Sequence, residues 1–415
     1  MVWWFPSTGG ARRGAFPLDP MEYVFSEGTG APYDVMYDTV HAVPATPVSA
    51  AQSEIDNVTG YNHQRKLVRT SDGTLYVVYN KYIAGKWQVH VIKSVDNGAT
   101  WIDDTHISID GMAGNSQQYS CIAVDSQDNL HVVWYGLATG YTQSQIWYAL
   151  YDGSWHTPIW ISTAAGMATK LQSMPYIAVD SQDNLHVVWN GAALDFATYQ
   201  IRYATAVPPY AAGDWVTPIR ISDAANMATK SQNYPCIAVD GDDNLHVVWT
   251  GGANDFASTQ TRYARAVPPY AAANWVTPIR ISDAPNMGTN TQTRVCIAVD
   301  GDDNLHVVWY GVATGDVAWQ IYYATAVPPH AAGNWVTPIS ISTAANMTTN
   351  SQYHPSIAVD SSDYIHVLWY GKATGYLAQD VVWLAVYVAS WATPVCIQPT
   401  GRNKWPSLRW SRWPR

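Results

Sequence analysis

Histidine is the side chain best suited to acid–base chemistry near neutral pH, and five histidines recur at one position of a repeated sequence. The stretch that repeats reads CIAVDGDDNLHVVW from Cys236 to Trp249. The histidines of its copies are His131, His186, His246, His306 and His366. A catalytic histidine would be unique, whereas five equivalent copies indicate a packing role in the core of each unit. We therefore assign them to structure.

Clustered carboxylate oxygens that could bind a metal ion are the second candidate site. The turns at residues 240–244 and 300–304 read DGDDN, and hard cations such as calcium prefer grouped carboxylates. Other copies, such as residues 125–129, have one carboxylate fewer. Hairpin turn chemistry explains all the copies equally well. We predict no metal site and no cofactor.

The elements that would position these residues are β-hairpins. Ile-Ala-Val and Leu-His-Val-Val-Trp alternate on either side of each Asx-rich turn. Two more strand-like pieces follow, such as residues 200–204 and 215–221. The copies end at tryptophans that recur every 55 or 60 residues: Trp134, Trp189, Trp249, Trp309 and Trp369. Four strands repeated in this way are typical of β-propeller blades, so the predicted fold class is all-β.

Weaker copies at both ends determine the number of blades. Residues 66–79 begin a sixth complete unit. Residues 21–50 match the outer three strands of a blade, and residues 403–411 match a first strand. We predict a seven-bladed β-propeller over residues 21–415, with one blade closed by the C-terminal inner strand and the N-terminal outer strands. Closure would remove exposed sheet edges. Six blades with loose ends are the alternative.

Residues 1–20 do not match the repeat. They contain Trp3, Trp4 and Phe5, and three large aromatic side chains are unfavourable in contact with water. We predict an extended arm that docks on a neighbouring subunit of a larger assembly, with a disordered tail as the alternative. No apolar core of the right length follows Met1, so we expect no signal peptide.

Composition excludes several classes of partner. The chain has 415 residues, 47% of them hydrophobic and 13% charged, with a formal net charge of −10. This acidic balance argues against nucleic acid or an anionic membrane as the main partner. No apolar run approaches the length of a membrane span. The four cysteines form no CxxC pair and hence no zinc signature, and a bridge between Cys236 and Cys296 on neighbouring units stays open.

A separate turn motif follows the third strand of the first complete unit. Ser94, Asp96, Gly98 and Trp101 fit the Asp-box pattern Ser-x-Asp-x-Gly-x-Thr-Trp, and residues 151–155 are similar to a degraded copy. Through this motif the chain resembles the sialidase-like, or bacterial neuraminidase repeat, β-propeller superfamily. In that family the box is a turn between the third and fourth strands, remote from the active site. The resemblance therefore implies a structural role, in which Asp96 accepts turn hydrogen bonds and Gly98 permits a positive φ.

The chemistry of that family does not carry over in full. Sialidases use a Tyr nucleophile paired with a Glu, an acid/base Asp and three Arg that bind the substrate carboxylate. The three glutamates here, Glu22, Glu27 and Glu54, all precede residue 55. Other glycosidases use two aspartates, but the aspartates of this chain fall mainly in repeated turns. We therefore expect no enzyme and no catalytic residue, with a sialidase-like exo-glycosidase as the alternative.

Differences among the copies indicate where a ligand would bind. Variation concentrates in the loop after the second strand and in the residues that lead into the first strand, whereas the other connections hardly change. An up-and-down strand order places both variable segments at one end of each blade, which we call the variable face. Neutral drift in exposed loops is the alternative explanation. The candidate ligand-binding residues are Tyr119, Tyr135, Tyr141, Met174, Asn190, Phe196, Tyr234, Thr250, Arg294, Tyr310, Trp319, His354 and Tyr370.

These observations together favour a non-catalytic recognition or structural protein. Aromatic and polar loops suit a glycan or protein receptor on the variable face. The tandem duplication and the docking arm favour a component of a virion, such as a phage tail, fibre or head-decoration protein, or of an extracellular surface. We expect neither nucleic-acid binding nor membrane insertion.

Overall fold

The computed structural model describes residues 64–397, except residues 195, 225, 285, 345–346 and 375–380, and it also places four strands before residue 64. Residues 64–397 form six successive four-stranded antiparallel sheets, in which strands that are adjacent in sequence are adjacent in space. We number these sheets blade 1 to blade 6. The strands of blades 1 to 3 are Leu67–Arg69, Leu75–Ile83, Lys86–Ser94 and Ile102–His106; Gln117–Val124, Leu130–Gly136, Gln145–Tyr151 and Ile159–Trp160; and Gln172–Val179, Leu185–Ala193, Phe196–Ala206 and Ile219–Arg220.

Blades 4 to 6 repeat the same plan. Their strands are Gln232–Val239, Leu245–Gly251, Gln260–Ala266 and Ile279–Arg280; Gln292–Val299, Leu305–Gly311, Gln320–Ala326 and Ile339–Ser340; and Gln352–Val359, Ile365–Gly371, Val381–Tyr387 and Val395–Cys396. First strands of successive blades pack against one another, so they line the axis. The helices in the described ranges are short 3₁₀ segments, Ala212–Asp214, Ala272–Asn274 and Ala332–Asn334, and none is long enough to cross a membrane.

A further four-stranded sheet precedes blade 1. It consists of Val2–Trp3, Glu22–Ser26, Tyr33–Thr39 and Val48–Ser53. In this sheet Val2–Trp3 pairs with Glu22–Ser26, in the place that we assigned to residues 403–411. Residues 403–411 lie outside the described residues. The all-β class and the propeller-like arrangement of four-stranded sheets are confirmed, and the count of seven blades stays a prediction.

A buried tryptophan and a glutamine join the first two strands of blades 2 to 6. In blade 4, Trp249 is fully buried and its Nε1 donates to Gln232 Oε1 at 2.8 Å. Gln232 Nε2 in turn donates to the carbonyl of Gly252 at 2.8 Å, which fixes the loop after the second strand. The repeated Gln, Trp and loop carbonyl thus anchor the variable face to the core of each blade.

Gly251 is required because the glutamine lies directly against it. A Cβ at position 251 would lie 1.6 Å from Gln232 Oε1, far below any real contact. We expect Gly251→Ala to displace Gln232, to break both of its hydrogen bonds and to lower the free energy of unfolding by about 3 kcal/mol. Urea denaturation followed by tryptophan fluorescence would measure this loss.

Gly213→Ala is the matched control for that variant. No atom lies within 4 Å of a Cβ at position 213, and blade 4 has Ala273 at the equivalent place. We expect this control to change the free energy of unfolding by less than about 0.5 kcal/mol. Equal stability of the two variants would contradict the role assigned to the glutamine.

The repeated histidines are buried and hydrogen-bonded, as predicted. His186 Nε2 lies 3.1 Å from Asp180 Oδ2, and its Nδ1 lies 2.9 Å from the Tyr203 hydroxyl. The same Asp side chain accepts the backbone N–H of Asn184 at 2.8 Å and so closes the hairpin turn. Hydrogen bonds from its own blade therefore account for the carboxylate in this turn.

The Asp-box forms the turn between the third and fourth strands of blade 1. Asp96 accepts hydrogen bonds from the Thr100 N–H at 2.8 Å and the Thr100 hydroxyl at 2.6 Å, and these bonds lower the pKa of Asp96 to about 2. Gly98 has a φ of 84°, and its N–H donates to Ser94 Oγ at 2.8 Å. Trp101 packs against the core of blades 1 and 2. The motif has the structural role that the resemblance implied.

Candidate functional site

Blades 2 to 6 each have a β-bulge near the start of the first strand, on the variable face. The register between the first and second strands shifts at this point in all five blades. One residue there has a φ between 51° and 57°, which is uncommon for residues other than glycine. A bulge redirects a side chain, so the backbone presents the variable residues in five equivalent positions. They are Tyr119, Met174, Tyr234, Arg294 and His354.

The second variable set lies directly beside the first. Each member follows the buried tryptophan on the second strand and pairs with the residue before the bulge, as Tyr310 pairs with Thr293. The members are Tyr135, Asn190, Thr250, Tyr310 and Tyr370. The structure therefore brings ten of the predicted residues to the inner part of the variable face.

The densest group lies on blades 4 to 6, and we call it the Tyr–Arg–His cluster: Tyr234, Arg294, Tyr310, His354 and Tyr370. The Arg294 guanidinium lies over the Tyr234 ring, 4.4 Å from its centroid. The rings of Tyr310 and His354 are 5.3 Å apart, and those of His354 and Tyr370 are stacked at 5.2 Å. Three adjacent blades thus contribute a cation, an imidazole and several phenols to one half-buried patch.

Further aromatic side chains flank this cluster. Trp319, in the loop after the second strand of blade 5, packs edge-on against Tyr310 at 5.3 Å. Tyr353 contacts Tyr310 at 5.5 Å. The Arg294 backbone N–H donates to Thr250 Oγ1 at 3.0 Å, which ties blade 5 to blade 4. Aromatic faces of this kind provide platforms on which sugar rings stack.

Burial and charge set the protonation states of the cluster. Burial raises the pKa of Tyr310, and the neighbouring Arg294 guanidinium partly opposes that shift. Burial, followed by the charge of Arg294, lowers the pKa of His354 to about 3. At neutral pH the site therefore has a neutral imidazole with a lone pair, a protonated phenol and a cation. This set can accept a proton, donate a proton and bind an anion.

The opposite side of the variable face is built differently. The rings of Tyr119 and Tyr135 are stacked at 5.3 Å, and Asn190 donates to Ser173 Oγ at 2.9 Å. Buried Gln64 donates to the carbonyls of Tyr119, at 2.6 Å, and of Pro175, at 3.0 Å, and so joins blades 2 and 3. The described residues of this side therefore have aromatic and amide groups.

Comparison of the internal repeats did not identify Lys66 as a candidate site residue. Its Nζ donates to the Ser120 carbonyl and, at 3.3 Å, to Gln64 Oε1, and the side chain is fully buried. Burial lowers the pKa of Lys66 to about 7. In the register of the repeat it stands where the other blades have Cys121, Tyr176, Cys236, Cys296 and Ser356. Alignment of the first unit with the others would have shown one lysine in an otherwise uncharged row.

Five predicted residues lie elsewhere or, wholly or in their side chains, outside the described residues. Tyr141 packs against Trp147 and Trp160 of the outer strands of its own blade, at 5.3 and 5.2 Å, rather than joining the inner residues. The Phe196 side chain lies outside the described residues, although its backbone begins the third strand of blade 3. The arm residues Trp4 and Phe5 and the side chain of Trp3 lie outside them as well. Cys236 and Cys296 are free thiols with their Sγ atoms 3.7 Å apart.

Comparison with known proteins gives similarity of structure alone. No family model matches the chain, and no curated protein sequence matches it. A protein of unknown function from Dyadobacter fermentans is similar with a TM-score of 0.52 at 11% identity, over 77% of this chain and 93% of that one. An ulvan lyase of polysaccharide lyase family PL25 is similar with a TM-score of 0.50 at 8% identity, over 82% and 93%.

Other similar structures are enzymes named for their action on sugars. The GH93 α-L-arabinofuranosidase of Fusarium graminearum has a TM-score of 0.48 at 13% identity, over 80% of this chain and 95% of that one. Sialidases are also among the matched structures. The predictions of a non-catalytic protein and of a virion component are contradicted by the match to an enzyme with this fold, the ulvan lyase. The similarity shows a shared β-propeller fold.

Proposed function

We propose that the protein is an enzyme that processes an acidic carbohydrate at the Tyr–Arg–His cluster of the variable face. The observation that carries this proposal is the meeting of Arg294, Tyr310 and neutral His354 on adjacent blades. A guanidinium is the group best suited to a carboxylate, because its fork of donors matches the two oxygens. The fold shared with the ulvan lyase, whose structure holds a glucuronate-containing fragment, supports the same class of substrate.

The reaction that fits these residues is β-elimination from a uronate. A base removes the proton at C5, a double bond forms between C4 and C5, and the bond from C4 to the leaving oxygen breaks. His354 has the lone pair that accepts the C5 proton, and the Tyr310 hydroxyl donates a proton to the leaving oxygen. Arg294 binds the carboxylate and stabilises the negative charge that develops on it. An incoming carboxylate would also offset the cationic charge near His354 and raise its pKa towards a range suited to a base.

Hydrolysis by a carboxylate pair has less support. The described groups that surround Tyr310 are Arg294, Tyr234, Tyr353, Trp319 and His354, none of which is a carboxylate. Retaining and inverting glycosidases ordinarily need two carboxyl groups on either side of the scissile bond. A Tyr, His and Arg set suffices for proton abstraction beside a carboxylate.

The test is a screen of the full chain against polysaccharides that contain glucuronate, iduronate or galacturonate, with neutral polymers as controls. We expect cleavage of a uronate polymer with the ultraviolet absorbance of an unsaturated product. Arg294→Met should reduce kcat/KM at least about 100-fold, because the substrate carboxylate loses its partner. Met174→Ala, at the equivalent bulge of blade 3, is the matched control and should retain activity. Cleavage of no uronate polymer would overturn the proposal.

Sialoside hydrolysis is the second candidate. The contact between Tyr310 and Arg294 supports it, because the resemblance to sialidases implies a Tyr nucleophile and arginines that bind a carboxylate. The glutamate that would activate the tyrosine must then come from Glu22, Glu27 or Glu54, whose side chains lie outside the described residues. Release of free sialic acid without an unsaturated product would favour this candidate over elimination.

Three further expectations belong to the same proposal. The seventh blade is proposed from the sheet that precedes blade 1, because its strands lie against those of blades 6 and 1. Docking of a neighbouring subunit through residues 1–20 stays a prediction that native mass measurement, with and without that segment, would test. An extracellular location stays a prediction consistent with a polymeric substrate.

A further inference from the structure

The connections between the third and fourth strands of blades 3, 4 and 5 are nearly identical, with one informative difference. Each places a ring edge-on against the repeated histidine of the preceding blade and also bonds a backbone carbonyl of the hairpin of its own blade. The hydroxyls of Tyr210 and Tyr270 bond the carbonyls of Asp183 and Asp243 at 2.9 and 2.8 Å. In blade 5 the equivalent residue is His330. Its Nε2 bonds the Asp303 carbonyl at 2.8 Å, so the imidazole takes over the backbone contact of the phenol.

The substitution places a third metal-ligating side chain beside an existing pair. Asp240 Oδ2 and His246 Nε2 are 2.9 Å apart, and the rings of His246 and His330 are 4.7 Å apart. One ligand atom from each of Asp240, His246 and His330 lies within 4.8 Å of the others. All three side chains are buried. Because Tyr has no comparable ligand nitrogen, this arrangement occurs in blade 4 but not at the equivalent Asp180–His186 pair.

The hydrogen bonds leave lone pairs suited to a metal. A carbonyl oxygen only accepts, so His330 donates from Nε2 to Asp303, and its buried Nδ1, without any hydrogen-bond partner, keeps the lone pair. His330 as a whole is 5% exposed. The other nitrogen of His246, Nδ1, is 2.9 Å from the Tyr263 hydroxyl. Metal-ligating histidines typically have their second nitrogen held by an oxygen in this way.

We propose that Asp240, His246 and His330 form a binding site for one divalent transition-metal ion, with zinc as the reference case. Imidazole and carboxylate together suit Zn²⁺, and three protein ligands leave one position for water. Tetrahedral zinc with ligands at about 2.1 Å spaces those ligands about 3.4 Å apart. Here Asp240 Oδ2 and His246 Nε2 are 2.9 Å apart and all three ligand atoms lie within 4.8 Å of one another, so zinc binding would rearrange the three side chains. The Asp303 carboxylate accepts the Gly241 N–H at 2.7 Å and brings a second negative charge close to Asp240.

The ion would link two blades at the end opposite to the variable face. Asp240 and His246 belong to the hairpin of blade 4, whereas His330 belongs to the connection of blade 5. Binding would therefore add a cross-link where Tyr210 and Tyr270 make a hydrogen bond between blades 2 and 3 and between blades 3 and 4. The role is structural and independent of the proposed catalysis, because no residue of the Tyr–Arg–His cluster takes part.

Metal-stripped full-length protein should be dialysed against ZnCl₂, and bound zinc should be measured by mass spectrometry. We expect one zinc ion per chain, and we expect Co²⁺ to give the visible spectrum of a low-coordinate site. His330→Tyr is the matched variant, because Tyr210 and Tyr270 show that the phenol fits this place. It should fold normally and bind at least about 100-fold more weakly, whereas retention of wild-type affinity, or no binding by the wild type, would overturn the proposal.

Tyr270→His provides a test by gain of function. It places an imidazole beside Asp180 and His186, which already form a pair at 3.1 Å. We expect the stoichiometry to rise from one zinc ion to two per chain. A variant that stays at one would contradict the claim that these three side chains suffice for the site.

Discussion

Tyr310→Phe is expected to lower kcat on the uronate polymer by at least about 100-fold while KM changes little. General acid catalysis contributes about 10²- to 10⁴-fold, and the variant removes only the hydroxyl that would protonate the leaving oxygen. The ring contacts with Trp319 and His354 do not depend on that hydroxyl. Initial-rate kinetics on the unsaturated product would measure the loss.

The fold should tolerate this change. Asn190 and Thr250 occupy the equivalent position in blades 3 and 4, so a tyrosine hydroxyl is not required there for folding. Tyr135→Phe is the matched control, because Tyr135 has the same place in blade 2 and stacks on Tyr119 away from Arg294. We expect the control to keep wild-type kcat. Equal rates for the wild type and Tyr310→Phe would remove Tyr310 from the mechanism.

The hairpin repeat was sufficient to predict the blades. Alternation around the Asx-rich turns predicted the first two strands, and the tryptophan spacing together with the weaker copy at residues 66–79 predicted six of the sheets. The histidine row was also interpretable, because identical residues at equivalent positions of a repeat have similar surroundings. His186 shows that environment, in which Asp180 and Tyr203 occupy both of its ring nitrogens.

The bulges could not be predicted, although they determine how the variable residues are presented. A bulge adds one residue to one strand without changing the apolar pattern on either side of it. The positive φ values of Tyr234, Arg294 and His354 therefore left no trace in the sequence, since glycine marks none of these positions. The sequence predicted which residues vary and which face they share. The β-bulges of the backbone place Tyr234, Arg294 and His354 near Tyr310.

The expectation of no enzyme failed for a related reason. It depended on the absence of a glutamate after residue 54, which argues against the Tyr–Glu pair of sialidases but not against other reactions on sugars. Arg294, Tyr310 and His354 lie in blades 5 and 6, so their proximity depends on the packing of neighbouring blades. Sequence spacing showed that they vary but gave no measure of their separation. The arrangement favours a reaction that needs no glutamate.

Lys66→Met is expected to stabilise the protein by about 3 kcal/mol at pH 7 and to have no stabilising effect near pH 10.5. Burial lowers the pKa of Lys66 from 10.5 to about 7. Between these values the unfolded chain binds the extra proton and the folded chain does not, so the free energy of unfolding of the wild type rises with pH across this window. Each pKa unit corresponds to about 1.4 kcal/mol, so the free energy of unfolding of the wild type rises by about 4 to 5 kcal/mol between the two pKa values.

Methionine removes this pH dependence, because it has no charge to bury. The loss of the hydrogen bond to the Ser120 carbonyl offsets about 1 kcal/mol of the gain. Urea denaturation of both proteins between pH 6 and about 10.5 would measure the difference, with exposed Lys86→Met as the control that should show none. A Lys66→Met protein that is less stable than the wild type at every pH would mean that the ammonium is a net stabilising group at the axis.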